Sequence, residues 1–163
     1  MGEAAESARR SSGGDDSGVA EPERAGVEDA ARARRERGIA MMKQVYGWDI
    51  GDVHGDFVEV TVDHLFGEIW ANGEMSVRER RLLLIGFLLG SGQDDVVGLQ
   101  LDCATQIGEL SIDELRELVL FIAHYGGWPI AARMNAKVEE LAARQRHADR
   151  ASENTDAADG EDP

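Results

Sequence analysis

The stretch that decides the fold is residues 111–134, SIDELRELVLFIAHYGGWPIAARM. Ser111 stands three residues before Glu114, which is the spacing of a capping box. The serine oxygen accepts a backbone N–H of the first turn, and the glutamate accepts the N–H of the serine. A Gly-Gly pair ends the helix, because glycine adopts left-handed backbone at little cost, and Pro129 suits the first turn of the next helix. Apolar residues recur at helical spacing between these signals: Leu115, Leu118, Val119, Ile122 and Ala123. The stretch therefore predicts two helices joined by a sharp corner.

Three side chains with chemical or packing potential gather at that corner. They are His124, Tyr125 and Trp128. A ring nitrogen and a phenol beside a tight turn can form a site, or the three can simply pack as an elbow. The residues alone leave both interpretations open.

The same helical pattern continues through the middle of the chain. Residues 30–45, 56–70, 80–90 and 94–107 are each predicted as a helix, and a second capping box, Ser76 with Glu79, precedes the third. The third helix is apolar nearly all round, which predicts the central and most buried helix. The stripe predicted for the second helix is Val58, Val62, Leu65 and Ile69, extended by Phe66 and Trp70. The fold class predicted is all-α, with about six helices.

The two ends of the chain differ in composition from its middle. Residues 1–29 and 147–163 are rich in Gly, Ser, Ala, Glu and Asp and nearly lack large apolar residues. Such segments bury too little surface to offset the entropy of ordering, so both are predicted to be disordered acidic tails. Residues 30–146 are then the single helical domain.

Composition excludes several classes of partner. The net charge of −15 disfavours nucleic acid and anionic membrane surfaces. The longest apolar run, residues 82–90, is far shorter than the roughly 20 residues of a membrane span, and the N-terminus lacks the apolar segment of a secretory signal. The lone Cys103 cannot form an intramolecular disulfide, which fits the cytoplasm.

A metal site is not predicted. His64 and Glu68 stand four residues apart, so they share one helix face. Two ligands at that spacing need a third or fourth, and none is suggested nearby. The pair is predicted to make a simple His–Glu contact.

Three pieces of the chain together resemble the carboxymuconolactone decarboxylase family, which includes the alkylhydroperoxidase D-like thiol proteins. The first is FGEIW at residues 66–70, followed by MSVRER at 75–80, which is similar to the family's "FGxxW … LSxRxR". The second is GELSIDEL at 108–115, similar to "NGxTxxEI". The third is AHYGGWP at 123–129, similar to "AxYxGxP". The resemblance covers residues 37–141. It implies an all-α fold that assembles as trimers or hexamers, with the pocket at subunit contacts.

The departures from the family pattern bear on function. The CxxC positions of the thiol branch fall at Gln93 and Val96, so thiol-dependent peroxide reduction is expected to be absent. Cys103 has no second thiol and is predicted to be an inert buried cysteine. The histidine of the decarboxylase branch falls at Gln100, and glutamine cannot exchange a proton near neutral pH.

The resemblance also supplies a set of site residues. Arg80 matches the family arginine and is expected to pair with a substrate carboxylate. Glu68 matches an acidic position and could carry a proton if burial raised its pKa. His64 and His124 are the two candidates to substitute for the missing histidine, and His124 is the one assigned to catalysis. The residues expected to contact substrate are Gln100, Tyr125, His64 and Trp70. Structural ion pairs remain the alternative for Arg80 and Glu68.

Three functions follow as hypotheses. The first is a cofactor-free lyase that acts on a small carboxylated lactone, or a related acid, from the degradation of aromatic compounds. The second is a non-catalytic oligomeric protein that binds a small molecule or serves as a scaffold, as the loss of the histidine suggests. The third, a peroxidase-type oxidoreductase, is disfavoured by the missing CxxC pair.

Overall fold

The computed structural model describes residues 21–49, 51 and 54–159, with side chains from residue 24 to residue 152 within those ranges. Every element in this part of the chain is helical, which confirms the predicted all-α class. The α-helices are α1 (Glu21–Tyr46), α2 (Asp56–Glu59), α3 (Val77–Gly90), α4 (Asp94–Gln106), α5 (Ile112–Gly126) and α6 (Trp128–Asp159). A π-helical segment, Val60–Trp70, continues α2 without a break. None of the described helices combines the length and the hydropathy that crossing a bilayer requires.

The deciding stretch folds as its sequence predicts. The backbone N–H of Ser111 donates to Glu114 Oε2 at 2.8 Å, and the N–H of Glu114 donates to Ser111 Oγ at 3.2 Å, so the capping box is complete. Gly127 sits at the corner between α5 and α6 with φ +88°. The second capping box, Ser76 with Glu79, likewise begins α3.

The main apolar core lies wholly within α3–α6 and the short loop before α5. We call these four helices and their loops, residues 77–159, the α3–α6 body. Its fully buried members include Ile85, Leu101, Leu115, Met134 and Val138. Burial of side chains of this size contributes about 1.5–3 kcal/mol each. The C-terminal helix spans the body because α6 presents Ala131, Met134, Val138 and Leu141 along one face.

A separate layer packs beside this body. We call α1, α2 and the π-helical segment the α1–π layer. Its buried apolar residues, Val45, Val62 and Phe66, are not part of the α3–α6 cluster. The backbones of α1 and the π-helical segment approach each other closely. A Cβ added at Gly38 would lie 2.1 Å from the carbonyl oxygen of Val62, and a Cβ added at Gly67 would lie 2.7 Å from the carbonyl oxygen of Arg34.

The π geometry corrects the stripe predicted for residues 56–70. A π-helix has i→i+5 hydrogen bonds and more residues per turn than the 3.6 of an α-helix, so the side chains that face inward differ from those of an α-helical period. Val62 and Phe66 are accordingly buried and Trp70 is half-buried. Leu65 and Ile69, which an α-helical period places inward, are 40% and 50% exposed.

The prediction that the third helix is the most buried is wrong for this chain. One face of α3 enters the body through Ile85, Leu88 and Leu89. The opposite face leaves Leu83 and Phe87 exposed by 65% and 67%. None of the described helices covers this second face.

Both end helices reach further than predicted. α1 begins at Glu21 and α6 ends at Asp159, so residues 21–29 and 147–159 are helical where the sequence predicted disorder. These segments contain five Ala and four Glu, residues with high intrinsic helix propensity even without an apolar face. Residues 1–20 and 160–163 lie outside the described residues, and the domain boundaries stay predictions.

Candidate functional site

Two of the predicted site residues, Trp70 and Arg80, line one cavity. The cavity has a volume of about 400 Å³ and opens widely to solvent. Its other walls are apolar and come from the exposed face of α3 and the loop before it: Met75, Leu83, Leu84 and Phe87. The site is therefore an apolar recess with one guanidinium at its edge.

Backbone carbonyl groups hold the guanidinium of Arg80. Nε donates to the carbonyl oxygen of Met75 at 3.1 Å, Nη1 to that of Ile69 at 2.6 Å, and Nη2 to that of Asn72 at 2.5 Å. In the part of the chain that the structure describes, no carboxylate forms an ion pair with Arg80. The alternative prediction, a structural ion pair, is therefore wrong: the structural partners are neutral carbonyl groups.

The local sequence explains this arrangement. The last carbonyl groups of any helix lack partners within that helix, and Arg80 reaches back to satisfy those at the end of the π-helical segment. Gly73, with φ +106°, makes the intervening turn, and a Cβ there would lie 2.8 Å from Arg80 Nη2. Trp70 is positioned by stacking on Phe66, with ring centroids 5.8 Å apart. Contacts within the protein therefore hold both Arg80 and Trp70 in place at the recess.

Glu68 does not fit the role of proton carrier. It lies on the α1–π layer, where Oε1 accepts from Arg34 Nη1 at 3.0 Å and Oε2 lies 2.6 Å from His64 Nδ1. The hydrogen bond with His64, then that with Arg34, lowers the pKa of Glu68, whereas a proton carrier needs it raised. The predicted His64–Glu68 contact is confirmed, and neither residue lines the Trp70–Arg80 cavity. The described residues contain no group of three or more His, Cys, Asp or Glu side chains placed to hold a metal.

The corner residues lie elsewhere on the surface. His124 Nδ1 lies 2.7 Å from the carbonyl oxygen of Leu120, one turn earlier in α5. Tyr125 is 82% exposed and Trp128 is 71% exposed, so the packed-elbow interpretation is wrong. Tyr125 lines a separate apolar recess together with Phe121. Neither His124 nor Tyr125 lines the cavity of Arg80.

Gln100 is buried in the interior, and its neighbour there is a residue that sequence reasoning missed. Arg81 has no exposed surface, and its Nη1 donates to Gln100 Oε1 at 2.7 Å. Its Nε donates to Glu109 Oε2 at 2.5 Å, and its Nη2 donates to the carbonyl oxygen of Val45 at 2.5 Å. A signal was present in the sequence, because Arg81 stands four residues before Ile85 and seven before Leu88, on the buried stripe of α3.

Two further polar groups border this buried arginine. Burial raises the pKa of the Tyr46 hydroxyl, and a hydrogen bond with the Gln100 side chain partly offsets that shift. Burial also raises the pKa of the Cys103 thiol, partly offset by the charge of Arg81. Cys103 is 1% exposed, so the prediction of a buried cysteine is confirmed.

Comparison with known proteins supports a relationship at the family level. The chain is similar to 4-carboxymuconolactone decarboxylase of Acinetobacter baylyi, with 28% identity over 93 residues, which cover 57% of this chain and 69% of that protein. No protein-family model matches the chain. No solved structure matches it.

Proposed function

We propose that this protein is a divergent relative of the carboxymuconolactone decarboxylases that binds a small apolar carboxylic acid, without acid–base decarboxylation by its own side chains. The observation that carries the proposal is the position of Arg80. It is a guanidinium with no carboxylate partner among the described residues, at the edge of an apolar recess.

The hydrogen bonds of Arg80 leave room for an anion. A guanidinium has five N–H groups, and three are used on the carbonyl groups of Met75, Ile69 and Asn72. One N–H remains on each terminal nitrogen, which is the number that a forked carboxylate contact uses. The carbonyl groups fix the side chain beforehand, so binding costs little side-chain entropy. The rings of Trp70 and Phe87 suit the apolar part of the ligand.

The lining of the recess argues against acid–base chemistry by this chain alone. Decarboxylation of a lactone requires a proton donor for the carbon that loses CO₂. The side chains that line the recess are those of Trp, Met, Arg, Leu and Phe, and none exchanges a proton near neutral pH. Gln100 is held by Arg81 in the interior, and Glu68 is paired on another surface.

A lyase is the second candidate, and the similarity to 4-carboxymuconolactone decarboxylase favours it. In this version a second copy of the chain brings a proton donor to the open side of the recess.

Self-association as a trimer or hexamer is part of the proposal in either case. It is supported by the uncovered apolar face of α3, where Leu83 and Phe87 form both the rim of the recess and an exposed surface. A cytoplasmic location also stays a proposal.

Calorimetric titration with benzoate, and with benzyl alcohol as its uncharged analogue, tests the binding function. We expect benzoate to bind and benzyl alcohol to bind at least tenfold more weakly, because only the carboxylate pairs with the guanidinium. Arg80→Gln should abolish this preference and Phe87→Ser should weaken both ligands. Arg78→Gln is the matched control, since Arg78 lies on the same helix, pairs with Glu114 at 2.8 Å and does not line the recess. Equal affinity of the wild type for both probes, or no binding of either, contradicts the proposal.

Incubation with 4-carboxymuconolactone, monitored by CO₂ release, separates the two candidates. The binding function predicts no release above that of buffer. Turnover that disappears in Arg80→Gln and persists in Arg78→Gln would favour the lyase over the binding function.

A further inference from the structure

The α1–π layer and the α3–α6 body meet across a seam that contains buried polar groups. The apolar cluster of the body lies entirely between Leu82 and Leu141, and the apolar residues of the layer form a cluster of their own. That second cluster is largely aromatic: Tyr46 contacts Trp48 and Phe66, and Phe66 contacts Trp70. α1 packs mainly on the π-helical segment and reaches the body chiefly at α4.

Neighbouring residues of α3 hold the C-terminal ends of α1 and of the π-helical segment. Arg80 binds the carbonyl groups of Ile69 and Asn72, where the chain passes from the layer into the body. Arg81 binds the carbonyl oxygen of Val45, in the last turn of α1, and is anchored in the body by Gln100 and Glu109. The first attachment is also covalent through the chain, whereas the second rests on hydrogen bonds.

We propose that Arg81 and Gln100 form a latch, and that the α1–π layer opens from the α3–α6 body as one unit when the latch is released. The layer is suited to move as a unit because its own helices are joined by the contacts at Gly38 and Gly67 and by ion pairs. Arg34 and Glu68 approach to 3.0 Å, and Arg35 and Asp63 to 3.3 Å.

The seam lies outside the apolar core cluster of the body, so opening along it leaves that cluster intact. Apolar clusters open at a cost that grows with the area they expose, whereas water can replace hydrogen bonds at a polar boundary. One buried oxygen at the seam, Glu109 Oε1, has no hydrogen-bond partner, so the closed state does not satisfy every polar atom there. Opening keeps the attachment at Arg80 and moves the C-terminal end of α1 away from the body. The proposal does not depend on whether the recess binds a carboxylate.

Cys103 reports on the opening, because it is the only cysteine in the chain and lies on α4, three residues after Gln100, at 1% exposure. The rate at which a thiol reagent labels the full-length protein, measured against urea concentration, separates local opening from global unfolding. Local opening exposes little surface, so its labelling rate depends weakly on urea. We expect a weak dependence at low urea that becomes steep near the unfolding transition.

Gln100→Met removes one anchor of the latch and leaves Glu109 to pair with Arg81, so the variant should still fold. We expect labelling of Cys103 without urea to accelerate about ten- to a hundredfold, the range for a lost hydrogen bond to a charged group. Amide exchange should accelerate in α1 and the π-helical segment and stay unchanged in α5 and α6. Arg116→Met is the matched control, because Arg116 pairs with Glu139 between α5 and α6, away from the seam.

The proposal is overturned by a single steep urea dependence, which would mean that Cys103 becomes accessible only on global unfolding. An unchanged labelling rate in Gln100→Met also overturns it. So does amide exchange that accelerates equally in α1 and α5, because the layer and the body would then be one cooperative unit.

Discussion

Arg81 donates a 2.7 Å hydrogen bond to the side-chain oxygen of Gln100, nineteen positions further along the chain, and both side chains lie in the interior. The position that the family resemblance assigns to a histidine is therefore occupied by a hydrogen-bond partner of a buried cation. The glutamine at this position and the burial of the arginine are two parts of one arrangement. This arrangement joins the helices α1, α3 and α4, because Arg81 also binds the carbonyl oxygen of Val45. It includes Glu109 in the loop before α5, which Arg81 binds as well.

Arg81→Met should be one of the most destabilising single substitutions in the chain. It leaves the carboxylate of Glu109 buried without its cation, and breaking a buried pair in this way costs about 3–5 kcal/mol. The free energy of unfolding from urea titration measures the loss. Changing Arg81, Gln100 and Glu109 together to Met, Leu and Leu should restore part of it, because no buried charge is then left unpaired, although the carbonyl oxygen of Val45 and the hydroxyl of Tyr46 lose their partners. A triple variant no more stable than Arg81→Met would contradict this account.

Replacing Gln100 with histidine alone should not create a decarboxylase. In Gln100→His the introduced imidazole faces the fixed charge of Arg81, which disfavours its protonated form and lowers its pKa below the usual value of about 6.5. We expect a low pKa by NMR titration and no CO₂ release from 4-carboxymuconolactone. A near-normal pKa together with turnover would show that the buried centre can adapt to acid–base work.

Gly38→Ala tests the close contact within the α1–π layer. The added Cβ would meet backbone atoms of Val62 at 2.1 Å, and backbone cannot move aside cheaply. We expect a loss of about 1–3 kcal/mol, with a fall of about 2–4 °C in melting temperature per kcal/mol. Gly86→Ala is the matched control, because open space surrounds that site and alanine favours a helix interior by about 1 kcal/mol. Similar melting temperatures for the two variants would show that the layer packs less closely.

The capping box of α5 should make stability depend on pH. Hydrogen bonds from the backbone and hydroxyl of Ser111, and then from Arg78, lower the pKa of Glu114. A lowered folded-state pKa contributes stability above the unfolded-state value, and this contribution is lost as the pH falls through the folded-state value. The free energy of unfolding should therefore decrease as the pH falls below the ordinary pKa range of glutamate. The decrease should be less steep in Glu114→Gln. Glu117→Gln, on the same helix outside the capping box, should keep the wild-type slope between pH 5 and about pH 2.

A charge on the uncovered face of α3 should weaken self-association. Phe87→Glu places a carboxylate on the proposed contact surface, where burial without a partner is costly. Sedimentation velocity should show a smaller species than that of the wild type. Phe57→Glu, at an equally apolar and 85% exposed position on α2, should leave the assembly unchanged. A wild type that sediments as a monomer would remove the basis of the proposal.

Signals that act within a few residues were enough to predict much of this fold. The capping boxes at Ser76 and Ser111 and the corner at Gly127 each depend on hydrogen bonds or backbone angles of adjacent residues, so the sequence determined them. The same holds for the His64–Glu68 contact, which follows from helical spacing. Local patterns also determined the all-α class, because the apolar residues of the predicted segments recur at helical spacing.

Only the tertiary structure decided which side chains meet. In the π-helical segment Phe66 lies inward and Leu65 outward, and the segment packs against α1 at Gly38 and Gly67. The same packing fixed the ends of the layer, so that Arg80 meets carbonyl groups beside an apolar recess while its neighbour Arg81 is buried against Gln100 and Val45. The physical reason is that adjacent residues on a helix point about 100° apart, so neighbours in sequence face different surroundings. Those surroundings are supplied by residues distant in the chain, and no local pattern encodes them.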